Sequence, residues 1–567
     1  MDRTDFSDEA LGGNVATLYA ETAATHPDRL ALARGGRLLT HGELRERGER
    51  FAGGLHDRGL DPGDRIALYL PNGLPFVVAL LGGFAAGAPP VPMNPQLRPP
   101  EIADQLRDSD AEVLVAHRSF AATVAATLER LADPPQVVLV TDDAVGRGGD
   151  TADVGDTADV GDTADTNDTA DVGDTADVND TVNVGDEFES LPSDPVPFEA
   201  IDGAPTVVDR ADDDVALHPY TSGTTGEPKG VHYTHRNMRA QSLLGFDRTD
   251  IPSERERFLS PLPLAHIAGL LNRTWQPLVR GGSVYLMRPS RWDPEEAMAL
   301  IEEASITKLG AIATMYVDIV EHERFGEYDL SSLEEAMQGG TKLPGPVARR
   351  FEEATGIRPF EAYGLTETGG GTHVGHGSTF GHRVGTIGQP LRASDCKVVD
   401  DDGEEVPTGE PGELLVRGPH VMAGYHERPA ATDAAFTDHG YFRTGDVVRR
   451  DADNYYEVLD RKGEVIDTAG YDVYPTEVED VLYDHPTVVD AAVVGEPDDR
   501  RGERVVAYVV TGETGGTGEA GDATEAALRE LVADRLAAYK HPREFRFVES
   551  LPRTSSGKVR KTDLAAD

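Results

Sequence analysis

Apolar strand-like runs alternate with helical segments between Leu39 and Pro95, and this alternation limits the fold more than any other feature of the chain. The segment LTHGELRERGERFAGGLHDRGL reads as a polar-faced helix ending at glycine. DRIALYLPN is a short apolar strand closed by Pro71 and Asn72, FVVALLGGFAAGA is a core helix, and PPVPMNP is a loop. Further strands are expected at 113–116 and 137–141. Such an order implies a parallel sheet with helices on both faces. At 567 residues the chain exceeds what one simple core sustains, so two or more domains are expected. Short strands and charged turns take over between Asp451 and Pro475, and a domain boundary is expected there.

Residues 150–185 are six near-copies of one hexad, DTADVG. The tract has no aromatic residue and no cation, so it cannot bury enough apolar surface to offset the entropy of ordering; it reads as a disordered acidic insert. A Gly/Thr/Glu-rich stretch at 511–522 reads as a surface hairpin loop. The net charge is −48, and setting aside the twelve Asp between residues 150 and 186 still leaves 89 acidic against 53 basic residues. A global acidic excess argues against binding nucleic acid or anionic lipid, and suits a proteome adapted to high salt. No apolar run reaches 18 residues, so no integral membrane segment is expected. The N-terminus is acidic and lacks the basic start of a secretory signal, which points to the cytoplasm. The single Cys396 allows no intrachain disulfide and no cysteine-based zinc site. Only eight residues are lysine against 45 arginines, none before Lys229, and three of them (Lys229, Lys540 and Lys558) fall inside motifs.

The strongest signal is YTSGTTGEPKGV, Tyr220 to Val231. The small or hydroxyl residues Thr221, Ser222, Gly223, Thr224, Thr225 and Gly226 leave their backbone N–H groups unobstructed, and Lys229 adds a cation. Such a loop can wrap phosphate oxygens. It is not a Walker A loop, because Pro228 precedes Lys229 and Gly230 follows it. The string resembles the phosphate loop of the adenylate-forming superfamily, which includes acyl- and aryl-CoA synthetases, luciferases and peptide-synthetase adenylation domains. The resemblance runs over essentially the whole chain apart from the acidic insert, and is greatest to AMP-forming acyl-CoA synthetases.

Four more strings carry it. EAYGLTETGG resembles the family's second core motif. There the resemblance assigns Glu361, Ala362, Tyr363, Gly364 and Thr366 to the nucleotide, with Tyr363 stacking on adenine, Thr366 bonding near the α-phosphate and Glu367 holding Mg²⁺, a hard cation that prefers carboxylate oxygen. YFRTGDV resembles the ribose-binding turn, with Asp446 accepting from both ribose hydroxyls; Tyr441, Phe442 and Arg443 stand where relatives have Trp-Leu-His. DRKGEVIDTAGYDVYPTEVE resembles the hinge, with Arg461 on ribose and Gly470 where the pantetheine arm passes the backbone. Gly463 and Asp467 depart from the family's pattern; glycine keeps a hinge physically feasible. LPRTSSGKVRKTDL resembles the C-terminal catalytic motif, in which Lys558 bridges the carboxylate and the α-phosphate.

The implied fold is α/β: a large N-terminal domain of layered α/β subdomains with a small β-barrel-like part (1–460), and a small mobile α+β C-terminal domain (461–567). The implied reaction joins a carboxylic acid, a fatty or related acid, to AMP from ATP and passes the acyl group to coenzyme A. Lys229 and Lys558 would neutralise charge beside Mg²⁺, and no protein nucleophile is needed. His266 in PLPLAHIAG stands where relatives gate the acyl pocket from the thiol tunnel, although a core histidine is an equal reading. Gly339, Gly340, Thr341 and the stretch 311–317 would line the acid and nucleotide. A free-standing enzyme that loads a carrier protein and a degenerate nucleotide-binding regulator are the alternatives, and either a monomer or a homodimer is compatible with these motifs.

Overall fold

The computed structural model describes residues 6–141, 195–221, 228–245, 249–287, 292–340, 343, 345–375, 383, 385–485, 487–498, 500–511, 525–553 and 559–564. The hexad repeat and the stretch 512–524 lie outside them. The latter joins the strand Gly502–Thr511 to the helix Glu525–Arg535, so it is a strand-to-helix connection and not the hairpin loop the sequence suggested.

Two sheets carry the N-terminal part. In one, Pro90–Pro92, Arg65–Tyr69, Ala111–His117, Gln136–Val140 and Val196–Pro197 lie side by side, all parallel. The other has nine strands, parallel from Leu30–Arg34 through Ser283–Leu286, Arg257–Ser260, Lys308–Ala311 and Glu335–Gly339 to Phe360–Tyr363, with antiparallel strands at its edges. The expected strands and the core helix Leu74–Ala86 are present; PPVPMNP, expected as a loop, instead holds the strand Pro90–Pro92, which pairs with Arg65–Tyr69 at the edge of its sheet. The preceding helix, His41–His56, begins at a capping box in which Glu43 N–H donates to Thr40 Oγ1 at 3.2 Å and Thr40 N–H to Glu43 Oε2 at 2.8 Å. It ends at His56, three residues before the expected glycine, because Gly59 already sits in a turn with positive φ. These two helices touch through glycines: a Cβ on Gly48 would lie 2.9 Å from Leu81 Cβ, and one on Gly82 would lie 2.5 Å from the Phe51 ring. That close approach fills the main core, which also holds Trp275, whose indole N–H donates to Ser242 Oγ at 2.7 Å.

A four-stranded antiparallel sheet follows, in the order Asp395–Val399, Pro411–Arg417, Phe442–Arg450, Tyr456–Arg461. Among the described residues its edges do not pair with each other, so the expected barrel-like part is an open sheet. Cys396 lies in its first strand, where burial pushes the thiol up and away from nucleophile chemistry. The small C-terminal domain is built on a mixed sheet whose long hairpin, Val488–Asp498 with Gly502–Thr511, receives Glu544–Phe547 in parallel. It has its own core around Val478, Leu482, Val493, Val509 and Leu528.

One cluster of buried charges is paired. Lys308 sits between Glu335 (2.9 Å) and Glu256 (3.9 Å), and Glu256 also takes Arg280 at 2.9 Å. This accounts structurally for one lysine in a lysine-poor chain. No helix among the described residues is long and apolar enough to cross a membrane.

Three fully buried histidines are held neutral by loss of solvation: His41 and His235 are lowered to about 4 and His373 to about 3, from an ordinary 6.5. His235 Nδ1 accepts from Val15 N–H at 3.1 Å, a bond that a proton there would break. The unfolded chain binds protons on these rings at higher pH than the folded one, so their stabilisation is full above about 6.5 and is lost as pH falls towards 4. We expect the denaturation midpoint to fall steadily between pH 6.5 and 4, and His41→Asn to flatten part of that slope; a midpoint that stays constant over this interval contradicts the assignment.

Candidate functional site

The glycine- and hydroxyl-rich loop rises from a pinned stem. Tyr220 bridges Gly230, Thr221 N–H donates to Lys229 O at 3.0 Å, and Lys229 N–H donates to Thr221 Oγ1 at 3.1 Å. Ser222, Gly223, Thr224, Thr225 and Gly226 lie outside the described residues. The stem continues into the strand Val231–Thr234 and then a helix, His235–Leu244, capped by Thr234.

Two tyrosines join this stem to the second motif. Lys229 Nζ lies 4.9 Å from the centre of the Tyr425 ring, and the hydroxyl of that ring donates to Glu367 Oε1 at 2.9 Å. The Lys229 ammonium and the Glu367 carboxylate are thereby brought to the two ends of one aromatic side chain. Burial, then the Glu367 charge, pushes the Tyr425 phenol up, which keeps it a donor. Tyr233, fully buried, donates its hydroxyl to Thr366 O and accepts from Gly369 N–H. Gln241 Nε2 donates to Thr368 O and Asn272 Nδ2 to Gly370 O, each at 2.6 Å. The turn carrying Thr366 and Glu367 is thus fixed from four sides.

The strand before that turn delivers Glu361, Ala362 and Tyr363 to the edge of the nine-stranded sheet. Gly339 is in register with Ala362, and Gly340 continues it at φ +98°. Thr341 lies outside the described residues. Tyr363 donates its hydroxyl to Asp446 Oδ2, and Arg461 Nε sits 2.7 Å from Asp446 Oδ1. Asp446 and Arg461 face each other across neighbouring strands. Asp446 is 4% exposed, so this carboxylate is buried with a partner on each oxygen. Burial and then the adjacent Asp446 charge raise the Tyr363 phenol well above its ordinary value; for Arg461, burial works against the charge, but Asp446, Tyr363, Glu367 and Glu464 together outweigh it and raise the guanidinium. The neighbouring Asp460 accepts from Thr476 N–H at 2.9 Å and Thr476 Oγ1 at 3.1 Å, so the strand ending at Arg461 also holds the first turn of the C-terminal helix Pro475–Tyr483.

The structure therefore brings together Lys229, Thr366 and Glu367 on one side of a single turn, and Tyr363, Asp446 and Arg461 on the other. Gly470 is elsewhere, at the tip of the hairpin Ile466–Thr468 and Tyr471–Val473, with φ +80° and its N–H on Asp467 Oδ1 at 2.9 Å. Gly463 lies in the turn after Arg461 with open space around it. Lys558 lies outside the described residues. His266 is half-buried at the start of a π-helix, Ala268–Trp275, whose first residues pack 3.4–3.6 Å from the position a Cβ on Gly370 would take.

Sequence reasoning missed Tyr233, Tyr425 and Arg273. Arg273 is fully buried, and its Nε has no hydrogen-bond partner among the described residues. Burial lowers its guanidinium to about 10. It lies across the ends of two parallel strands, with Nε 2.9 Å from the Cβ position of Gly310 and Nη2 3.7 Å from that of Gly339. The signal was a charged residue between the apolar Leu270–Leu271 and Trp275 in AGLLNRTWQPLV.

Gly364 lets the second motif fold back on itself: a Cβ there would lie 2.3 Å from Gly371 N and 2.5 Å from Gly371 Cα. We expect Gly364→Ala to cost about 2 kcal/mol of stability and to lower ATP–pyrophosphate exchange by more than the stability loss alone explains. Wild-type melting and exchange in this variant would show that the two strands do not need the contact.

Comparison with known proteins agrees with this geometry. Residues 19–426 match the AMP-binding enzyme family and 477–558 the AMP-binding enzyme C-terminal domain. The chain is 34% identical over 542 residues to a feruloyl-CoA synthase of Amycolatopsis sp, covering 96% of each chain. It is 32% identical over 558 residues to a long-chain-fatty-acid–CoA ligase of Escherichia coli O6:H1, covering 97% of this chain and 94% of that one. The crystal structure of ATP-bound MatB from Rhodopseudomonas palustris superposes with a TM-score of 0.80 at 27% identity, covering 97% and 98%. The chain belongs to the AMP-binding enzyme family, and within it is an AMP-forming acid–CoA ligase.

Proposed function

We propose that the two clusters around the turn Thr366–Thr368 divide the nucleotide between them. Asp446 holds the ribose hydroxyls, with Arg461 beside it, and Tyr363 lies against adenine. Lys229 neutralises the pyrophosphate side, and Thr366 donates near the α-phosphate. The observation that carries this reading is the Tyr363–Asp446–Arg461 contact, which already holds a buried carboxylate next to an aromatic ring and a cation. Glu367 is a half-buried carboxylate, the donor a hard dication prefers, so it would hold Mg²⁺, which supplies charge neutralisation to the phosphates when bound. In the first step a carboxylate oxygen of the acid attacks the α-phosphorus and pyrophosphate leaves. In the second, the coenzyme A sulfur attacks the acyl carbonyl and AMP leaves, while the thiol proton passes to solvent. Lys558 serves the first step only, and Gly470 gives the pantetheine arm room in the second. The change of role between steps calls for the C-terminal domain to turn about the segment after Asp460, and we take 460/461 as the boundary on that reading. His266 borders the passage between acid and thiol, and Gly339, Gly340 and Thr341 line it with Glu361, Ala362 and Gly364. The acidic surplus of the whole chain suits work at high salt in the cytoplasm.

The relatives act, by their names, on a phenolic acid and on long-chain fatty acids. Here Arg273 favours an acid that carries a second hydrogen-bond acceptor, a carboxylate, hydroxyl or carbonyl remote from the reacting group. A buried guanidinium over the glycine ends of two strands is costly without an acceptor, and parallel sheets hold ligands at those ends.

The test is a panel of acids at high salt with ATP, Mg²⁺ and coenzyme A, scored by pyrophosphate exchange and thioester formation. Acids with a remote acceptor are expected to exceed plain alkyl acids of equal length, and Arg273→Met to lower kcat/KM for them by about tenfold or more while sparing the plain acids. Preference for plain alkyl acids with no effect of Arg273→Met contradicts the substrate class; no thioester with any acid contradicts the wider assignment.

A further inference from the structure

A second constellation lies beneath the phosphate loop and plays no part in the reaction described above. His218 follows the strand Val215–Leu217, His232 is in Val231–Thr234, and His426 follows Gly424–Tyr425. These three strands form one small antiparallel sheet, in which His232 is in register with Gly424 and Thr234 with Val215. Its backbone bonds fix the histidines: His426 N–H donates to Gly230 O at 2.8 Å, Ala423 N–H to His232 O at 2.9 Å, and His218 N–H to Pro90 O at 2.9 Å.

The three imidazoles converge. Their ring centres are 5.0, 4.8 and 4.9 Å apart, a nearly equilateral triangle, and one nitrogen from each lies within 4.8 Å of the other two. Both nitrogens of His218, both of His426 and Nε2 of His232 are buried and have no hydrogen-bond partner among the described residues. Each orphaned buried polar atom costs about 1–3 kcal/mol, and a single ligand at the centre of the triangle would take one nitrogen from each of the three rings and so satisfy three of the five. A tetrahedral zinc ion bonds imidazole nitrogen at about 2.0–2.1 Å, which puts the ring centres of its ligands about 5 Å apart. The observed triangle has that size.

We propose that His218, His232 and His426 form a structural binding site for a divalent zinc-class ion that clamps the stem of the phosphate loop. Neutral imidazoles select a borderline ion over magnesium or calcium, which prefer oxygen. The surrounding charges are mixed. The Arg65 guanidinium acts on His218 and His232 and opposes a cation, while Asp108 acts on His232 in favour of one. Asp110 and Glu427 place carboxylate oxygens within 4.8 Å of a ring nitrogen of His426, and can orient that ring from outside. His232 is only half-buried, which leaves a way in. The ligands flank the loop on both sides, His218 two residues before Tyr220 and His232 two after Gly230, and His426 is adjacent to the Tyr425 that contacts Lys229 and Glu367. A bound ion would therefore stiffen the support of the nucleotide site without touching the reacting atoms.

The experiment uses the full-length protein, stripped with a chelator and titrated with Co²⁺ as an optical probe and with Zn²⁺. The expected result is saturable uptake of one equivalent, intense visible bands of a tetrahedral nitrogen-rich cobalt site, and a rise in melting temperature with Zn²⁺ but not with Mg²⁺. His232→Gln and His426→Asn, which keep a polar side chain of similar size, are each expected to weaken Co²⁺ binding by about tenfold or more. Unsaturable uptake, the weak bands of an octahedral cobalt site, or variants that bind as the wild type does would overturn the proposal. The wild-type spectrum decides the matter even where a variant fails to fold.

Discussion

The carboxylate of Asp446 ties the molecule together at its functional end. One oxygen takes the Tyr363 hydroxyl and the other the Arg461 side chain. Tyr363 ends a strand of the nine-stranded sheet, Asp446 lies in the antiparallel sheet, and Arg461 is the last residue of the strand that leads into the C-terminal domain. One buried anion thus links the nine-stranded sheet to the antiparallel sheet and to the end of its last strand, and its desolvation is tolerable only because both neighbours bond to it. The next residue along, Asp460, holds the first helix of the C-terminal domain through Thr476. A turn of that domain would therefore pull directly on the Asp460–Arg461 pair, which couples its orientation to the proposed ribose anchor.

The rest of the site follows from strand ends. Parallel strands deliver Gly310, Gly339 and Tyr363 to one edge of the sheet, and the π-helix Ala268–Trp275 lies over them. Insertion of an extra residue per turn is uncommon in helices and recurs at functional sites. Here it accompanies Asn272 bonding Gly370 O and Arg273 crossing to Gly339, so one irregular element reaches both the second motif and the proposed acid pocket. The tyrosines Tyr233 and Tyr425 then connect this sheet to the separate small sheet that supports the phosphate loop.

Much of this was legible in the chain. Between Leu39 and Pro95 the helices and the strand Arg65–Tyr69 folded as read, because their apolar periods match the strand and helix repeats, but PPVPMNP, read as a loop, holds the strand Pro90–Pro92. Tyr363, Asp446 and Arg461 were each singled out from separate motifs, and they meet within hydrogen-bond distance. Other features depend on distance in sequence and left no local trace. Tyr425 lies 58 residues from Glu367 and Tyr233 lies 133 from Thr366, so nothing local marked either. The three histidines look unrelated until a sheet aligns their strands. The open antiparallel sheet differs from the barrel-like expectation because closure depends on pairing at edges, which periodicity does not encode. The strand-to-helix connection after Thr511 was misread because a Gly-rich composition marks a loop without naming what it joins.

The account rests on Asp446 as the ribose anchor, and calorimetric titration of the full-length protein with ATP and with 2′,3′-dideoxy-ATP tests it most directly. Wild-type protein should bind the dideoxy analogue about tenfold or more weakly, as expected for losing hydrogen bonds to a charged acceptor, and Asp446→Asn should bring the two affinities close together. Equal binding of both nucleotides by the wild type would contradict it.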